Sequence, residues 1–158
     1  MDSDATAMRL AIEEAEAAGA RGEVPVGAVL MRAGAVVSRA GNERERSGDP
    51  MAHAEILAIR AAASATGGWR LDGATLYVTM EPCPMCAGAL LAARVDRLVY
   101  GAADLKAGAC GSLYNLCVDP RLNHELEVVA GVLGQECAEL LTSWFSRHRG
   151  SPDRNISR

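Results

Sequence analysis

Two short clusters, His53-Ala54-Glu55 and Pro82-Cys83-Pro84-Met85-Cys86, constrain this chain more than any other feature. Each stands where a turn gives way to helical sequence, so a fold that uses both must bring two helix starts to one place. One imidazole and two thiolates form a ligand set suited to a tetrahedral zinc ion whose fourth position stays open to water. A closed structural site would normally need a fourth protein ligand. The residue two places after His53 is instead a carboxylate, Glu55, placed to act on water at the open position. His-x-Glu alone is a weak signal, and Cys-x-x-Cys alone has three readings: half of a zinc site, a thioredoxin-like redox pair, or two unrelated core cysteines. The redox reading has no use for His53 and Glu55, and the combination in this order points to a hydrolytic metal centre.

Local patterning places both clusters. Met8, Ile12 and Ala15 recur at helical spacing over residues 3–18, with Asp4 as the expected cap and Gly19 and Gly22 ending the helix. Residues 24–31 and 35–40 read as two strands joined by a tight turn at Arg32-Ala33-Gly34, and 41–50 as a polar loop. Pro50-Met51-Ala52-His53 leads into a helix reaching about residue 65, which places His53 and Glu55 in its first turn. Residues 75–79 form a β-branched and aromatic strand, and Pro84 suits the first position of a following helix. Further strands are expected at 95–100 and 126–130, a short helix at 113–116, and a last helix at 135–149 with Leu140, Leu141 and Trp144 facing inward. The order αββαβαβ(α)βα predicts an α/β fold, a five-stranded mixed sheet with helices on both faces, its site beyond the strand ends where the two turns meet.

The length of 158 residues fits one domain, expected over residues 1–149, with 150–158 as a flexible basic tail. No apolar stretch approaches the roughly 20 residues of a membrane span, and Met1-Asp2-Ser3-Asp4 lacks the basic-then-apolar order of an export signal. The expected compartment is therefore the cytoplasm, with no membrane partner. Cys110, Cys117 and Cys137 remain after the zinc pair and read as buried free thiols, not a disulfide framework. The net charge of −4 argues against non-specific nucleic-acid binding, although Arg147, His148, Arg149, Arg154 and Arg158 gather at one end.

The spacing H-x-E…P-C-x-x-C resembles the signature of zinc-dependent nucleobase deaminases. Over nearly its whole length the chain closely resembles the bacterial tRNA-specific adenosine deaminases, a branch of the cytidine deaminase-like fold. The likeness lies in Val24-Pro25-Val26-Gly27-Ala28-Val29, Ala52-His53-Ala54-Glu55-Ile56, Ala74 through Cys83, and Met85-Cys86-Ala87-Gly88-Ala89. It extends to Gly101-Ala102-Ala103-Asp104-Leu105-Lys106-Ala107-Gly108-Ala109, Gly111-Ser112-Leu113 and Leu122-Asn123-His124, which look specific to the tRNA-acting branch. Two features depart from the family pattern: Ser146-Arg147-His148-Arg149 is less basic than usual, and Met51 stands where a small polar residue is common.

The resemblance implies a three-layer α-β-α fold and hydrolysis of the wobble adenosine of a tRNA anticodon loop, typically an arginine tRNA, to inosine. It implies a homodimer with one zinc ion per subunit and no organic cofactor. His53, Cys83 and Cys86 would hold the ion, and Glu55 would shuttle protons. Asn42, Ala54, Pro82, Asp104, Asn123 and His124 would meet the substrate. A deaminase of free nucleobases or nucleosides, of guanine or cytosine type, would share the zinc site and suits the acidic pI of about 5.4. A non-catalytic subunit would not need Glu55.

Overall fold

The structure is a computed structural model, and residues 2–148 are described. The expected tail at 150–158 and the helix end at Arg149 lie outside the described residues.

Five strands, β1 (Gly27–Arg32), β2 (Ala35–Gly41), β3 (Ala74–Met80), β4 (Arg97–Ala102) and β5 (Glu127–Ala130), form one sheet in the order β2-β1-β3-β4-β5. β1 runs antiparallel to both β2 and β3, whereas β3, β4 and β5 are parallel, which makes the sheet mixed as expected. Helices α1 (Ser3–Ala20) and α5 (Gly134–Arg147) cover one face, and α3 (Ala54–Thr66) and α4 (Pro84–Ala92) the other. A one-turn helix, α2 (Arg44–Ser47), interrupts the loop after β2.

Strand alternation sorts the core into two layers. Ala28, Leu30, Leu76, Val78, Leu98 and Tyr100 face α3 and α4. The intervening Val29, Tyr77 and Val99 meet Met8, Ala11 and Ile12 of α1 and Cys137 of α5. Fully burying each leucine contributes roughly 2 kcal/mol. Ala54, Ala58 and Ala62, spaced by four along α3, are all buried and let that helix lie close to the sheet. Gly27 does the same for α1, because a Cβ there would overlap the Ala11 carbonyl oxygen.

Ala33 and Gly34 both take positive φ (51° and 77°), the two-residue turn whose twist suits a hairpin. Opposite Leu30 and Met31 the register jumps from Ser38 to Val36, a bulge in β2. The first strand starts at Gly27, not at residue 24, because Val24-Pro25-Val26 lies before the ladder begins. No helix forms at 113–116; a 3-10 turn occupies Leu116–Val118, and Cys110 bridges to Asn115 instead.

Asp2, not Asp4, caps α1, accepting from the Asp4 amide at 3.0 Å. Asp4 is drawn elsewhere: it accepts two bonds from the Arg97 guanidinium, each 2.7 Å, and one from the Tyr77 hydroxyl at 2.9 Å. A helix residue is thereby clamped to β3 and β4, which no local capping preference anticipates. Arg97 holds the Asp4 carboxyl below the usual range. Burial and the Asp4 hydrogen bond push the Tyr77 phenol up to about 12.

Candidate active site

Both metal-bearing turns use the same local device. His53 is the residue before α3, in extended backbone (φ −71°, ψ 150°), and Glu55 sits in the first turn of the helix. His53 is thus the cap and not, as its sequence suggests, within the turn. The approach is fixed by the Asp49 carboxylate, which accepts from the Met51 amide at 2.9 Å. Cys83 likewise precedes α4 in extended backbone (φ −73°, ψ 174°), Pro84 opens the helix with its preset φ, and Cys86 lies in the first turn. Two helix N-termini therefore face one point, and their positive ends favour the thiolates and a carboxylate.

Ligand atoms of His53, Cys83 and Cys86 all lie within 4.8 Å of one another. Cys83 Sγ is 3.6 Å and Cys86 Sγ 3.4 Å from His53 Nδ1. Tetrahedral zinc bonded to sulfur at ~2.3 Å and nitrogen at ~2.0 Å separates these atoms by about 3.6 Å, so the donor set fits such an ion. Cys86 is buried and Cys83 only partly so, which leaves the cluster approachable from one side. Glu55 is wholly buried beside it. Cys110 is not a fourth member: its thiol sits 3.6 Å from Cys117 Sγ. The Cys117 thiol and burial together push the Cys110 pKa up, which keeps it a protonated core thiol. Cys117 and Cys137 are buried as well, as expected of free thiols.

Asn42 is buried at the end of β2, where its Nδ2 donates to the Val24 carbonyl (3.4 Å) and its Oδ1 accepts from the Arg44 amide (3.1 Å). Asp104 is also buried, its Oδ1 accepting from the Lys106 and Ala107 amides at 3.0 and 3.1 Å. Ala54 and Pro82 flank the ligands, and the Pro82 carbonyl accepts from the Ala109 amide at 2.9 Å. Asn123 is exposed. His124 Nε2 lies 2.8 Å from the Val95 carbonyl, before β4 begins and at the other end of the sheet from the Cys83 turn. The structure thus gathers the metal set, Glu55, Ala54 and Pro82, while Asn123 and His124 stand apart.

A family profile described as the cytidine and deoxycytidylate deaminase zinc-binding region matches residues 1–102. The chain is 51% identical to the tRNA-specific adenosine deaminase of Bacillus subtilis, over 94% of this chain and 92% of that protein. It is 48% identical to the enzyme of that name from Haemophilus influenzae, over 92% and 85%. The chain belongs to the tRNA-specific adenosine deaminase family. A solved structure from work on A-to-I editing by tRNA:A34 deaminases at the wobble position superposes on this family member with a TM-score of 0.83, at 48% identity over 86% of this chain and 99% of that one. Guanine deaminase from Nitrosomonas europaea shares the fold, with a TM-score of 0.80 at 23% identity over 92% and 86%.

Two buried carboxylates escaped the sequence reading of this deaminase. Glu23 accepts from the Glu45 and Arg46 amides, the former at 2.7 Å, and so holds the start of α2. Glu81 accepts from the amides of Asp104 (3.1 Å), Cys110 (3.1 Å) and Ser112 (3.0 Å) and from the Ser112 hydroxyl. Burial works to raise the Glu81 pKa, but the Ser112 and backbone hydrogen bonds outweigh it and the net shift is downward. The available signal was a charged residue closing the apolar run of β3, immediately before the cysteine turn.

Proposed function

We propose that this protein hydrolyses the wobble adenosine in the anticodon loop of a tRNA, an arginine tRNA by family resemblance, to inosine. The carrying observation is the buried Glu55 at the helix end that also presents His53, in a chain with 51% identity to a tRNA-specific adenosine deaminase. His53, Cys83 and Cys86 would hold one zinc ion per subunit, which when bound lowers the pKa of water toward ~7. Glu55 takes the proton from the attacking water and delivers it to ring nitrogen N1, making C6 electrophilic. The C6–O bond forms, Glu55 then takes the second water proton from the new C6 hydroxyl and passes it to the amine, and the C6–N bond breaks to release ammonia and leave the C6 carbonyl of inosine. Each such transfer contributes typically ~10²–10⁴-fold. An anticodon loop presents unstacked bases, so the cost of admitting adenosine is low.

Ala54 and Pro82 would shape the pocket beside the ligands. Asn42 keeps an amide hydrogen beyond the one given to Val24, and Asp104 a second carboxylate oxygen, for the target nucleotide and its sugar. Asn123 and His124, toward the other end of the sheet, would meet RNA only outside the pocket that takes the target base. We also infer a homodimer working in the cytoplasm with its tRNA. A groove of about 360 Å³ between α3 and α4, lined by Met51, Ile56, Ile59, Trp69, Met85 and Ala89, supports an apolar face beside the site. No helix among the described residues is long and apolar enough to cross a membrane.

The test is inosine formation on an anticodon stem-loop RNA with a wobble adenosine, comparing zinc-loaded protein with Glu55→Ala. Inosine from the former and essentially none from the latter is expected. Turnover of free guanine with none of RNA would move the assignment to the nucleobase deaminases that share the fold.

A further inference from the structure

We propose that Glu81 is a positioning residue for RNA binding: its carboxylate pins the 104–112 loop against the Cys83 turn, setting the wall and rim that the nucleic acid meets. The inference rests on the RNA reading of the site.

Glu81 is wholly buried one residue before Pro82-Cys83. Burying an ionised carboxylate is costly unless hydrogen bonds replace water. All four donors named above come from a single loop, three of them backbone amides at Asp104, Cys110 and Ser112. The carboxylate therefore dictates the path of that backbone. Gly108 supplies the room, since a Cβ there would overlap the Glu81 carboxylate. The Ala109 amide completes the contact by donating to Pro82 O at 2.9 Å, one residue from a metal ligand.

The loop has two sides. Its inner side lies against the cysteine turn, with the Cys110 thiol 3.9 Å from the Pro82 carbonyl oxygen. Its outer side and the residues just after it carry Leu105 (78% exposed), Tyr114 (59%), Leu113 (54%) and the exposed Lys106. Exposed apolar side chains give a loop no anchorage of its own. A cation beside an aromatic and aliphatic surface is the chemistry that holds an unpaired strand, the charge meeting phosphate and the ring stacking on a base. The anchorage comes from below, through Glu81, the Pro82 carbonyl and the buried Ala109 and Cys110, while the ligands and Glu55 stand on the starts of α3 and α4. Loosening the loop should weaken RNA binding and leave the chemical step largely intact.

Glu81→Gln keeps the side-chain volume but turns an NH₂ group toward backbone N–H donors, so about half of the clamp is lost. In zinc-loaded full-length protein, the amides of Asp104, Cys110 and Ser112 should lose protection in hydrogen–deuterium exchange. KM for the anticodon stem-loop should rise about tenfold, equivalent to ~1.4 kcal/mol, with kcat within about threefold and zinc content unchanged. Ser112→Ala should shift KM the same way by a smaller factor, and add little on top of Glu81→Gln. It also serves if Glu81→Gln does not fold. Unchanged loop exchange, loosened exchange with unchanged KM, or a loss confined to kcat overturns the proposal. Absence of RNA binding by the unsubstituted protein overturns the RNA reading instead. That result is distinct from one in which parent and variant bind equally well.

Discussion

Replacing Asp4 by Asn tests how α1, on the sheet face opposite α3 and α4, is held. Asp4 receives a two-pronged guanidinium contact from Arg97 at 2.7 Å on each prong and a 2.9 Å bond from Tyr77, and its side chain is only 17% exposed. Charge-assisted bonds of this kind contribute roughly 1.5–3 kcal/mol when shielded, and much less when solvent screens them. With Arg97 at 25% exposed the geometry is intermediate, so Asp4→Asn should cost about 2 kcal/mol at pH 7. For a chain of this length that lowers Tm by roughly 4–8 °C. Two pH limbs follow. The folded-state pKa of Asp4 is depressed, so its contribution is present above the unfolded value of ~3.9 and fades as pH falls through the folded one. Burial and the Asp4 hydrogen bond push the Tyr77 phenol from 10.0 up to about 12, so its contribution is full below 10 and lost as pH rises toward 12, at most about 3 kcal/mol. The Asp4 hydrogen bond is one source of that rise, so Asp4→Asn should bring Tyr77 ionisation to lower pH. Urea unfolding of zinc-saturated protein at several pH values, with ultraviolet titration of the phenols, reads both effects. A stability change under 0.5 kcal/mol at pH 7, with phenol titration unmoved, refutes the reasoning.

Leu76→Ala empties a wholly buried position on the α3/α4 side of the sheet and should cost about 3 kcal/mol in the same urea assay. With zinc bound, none of the five cysteines should react quickly with Ellman's reagent, since Cys110, Cys117 and Cys137 are buried and the Cys137 thiol is pushed to about 12 mainly by burial. Chelation should release two reactive thiols, Cys83 and Cys86, abolish activity and lower Tm; reaction of all five without unfolding contradicts the burial. If the groove is the face of the proposed homodimer, Trp69→Glu, at a side of the groove where Trp69 is 59% exposed, should give a monomer in sedimentation velocity while circular dichroism stays unchanged. RNA affinity should fall with salt along a shallow slope, because the protein carries a net −4; a slope steeper than about −4 in log–log form contradicts this.

Residues whose role depends on neighbours in sequence were legible. The ligand set needed only H-x-E and P-C-x-x-C, because a cap and first turn put such neighbours on one helix end whatever the rest of the chain does. The main helices, the strands and the hairpin at Ala33-Gly34 followed from periodicity and turn chemistry, with errors at element ends, at 113–116, where no helix forms, and at Arg44–Ser47, where a one-turn helix interrupts the expected loop. The missed features share a different origin. Asp4 left its expected capping role because Arg97, 93 residues away, offers a stronger partner. The bonds by which Asn42 and His124 meet a backbone carbonyl, of Val24 or Val95, were likewise invisible, because only the folded chain brings those carbonyls near.

The sequence by itself therefore determined the local chemistry on offer: which atoms can hold a metal, which carboxylate shares a helix start with one of them, and that two helix starts must converge. Tertiary structure alone decided the strand order β2-β1-β3-β4-β5 and the burial of Glu81 beneath a loop 23 to 31 residues further on. The physical reason is range. Caps, turns and periodic faces are set by atoms within a few residues of one another, whereas a buried carboxylate is tolerated only where distant amides converge to replace its water.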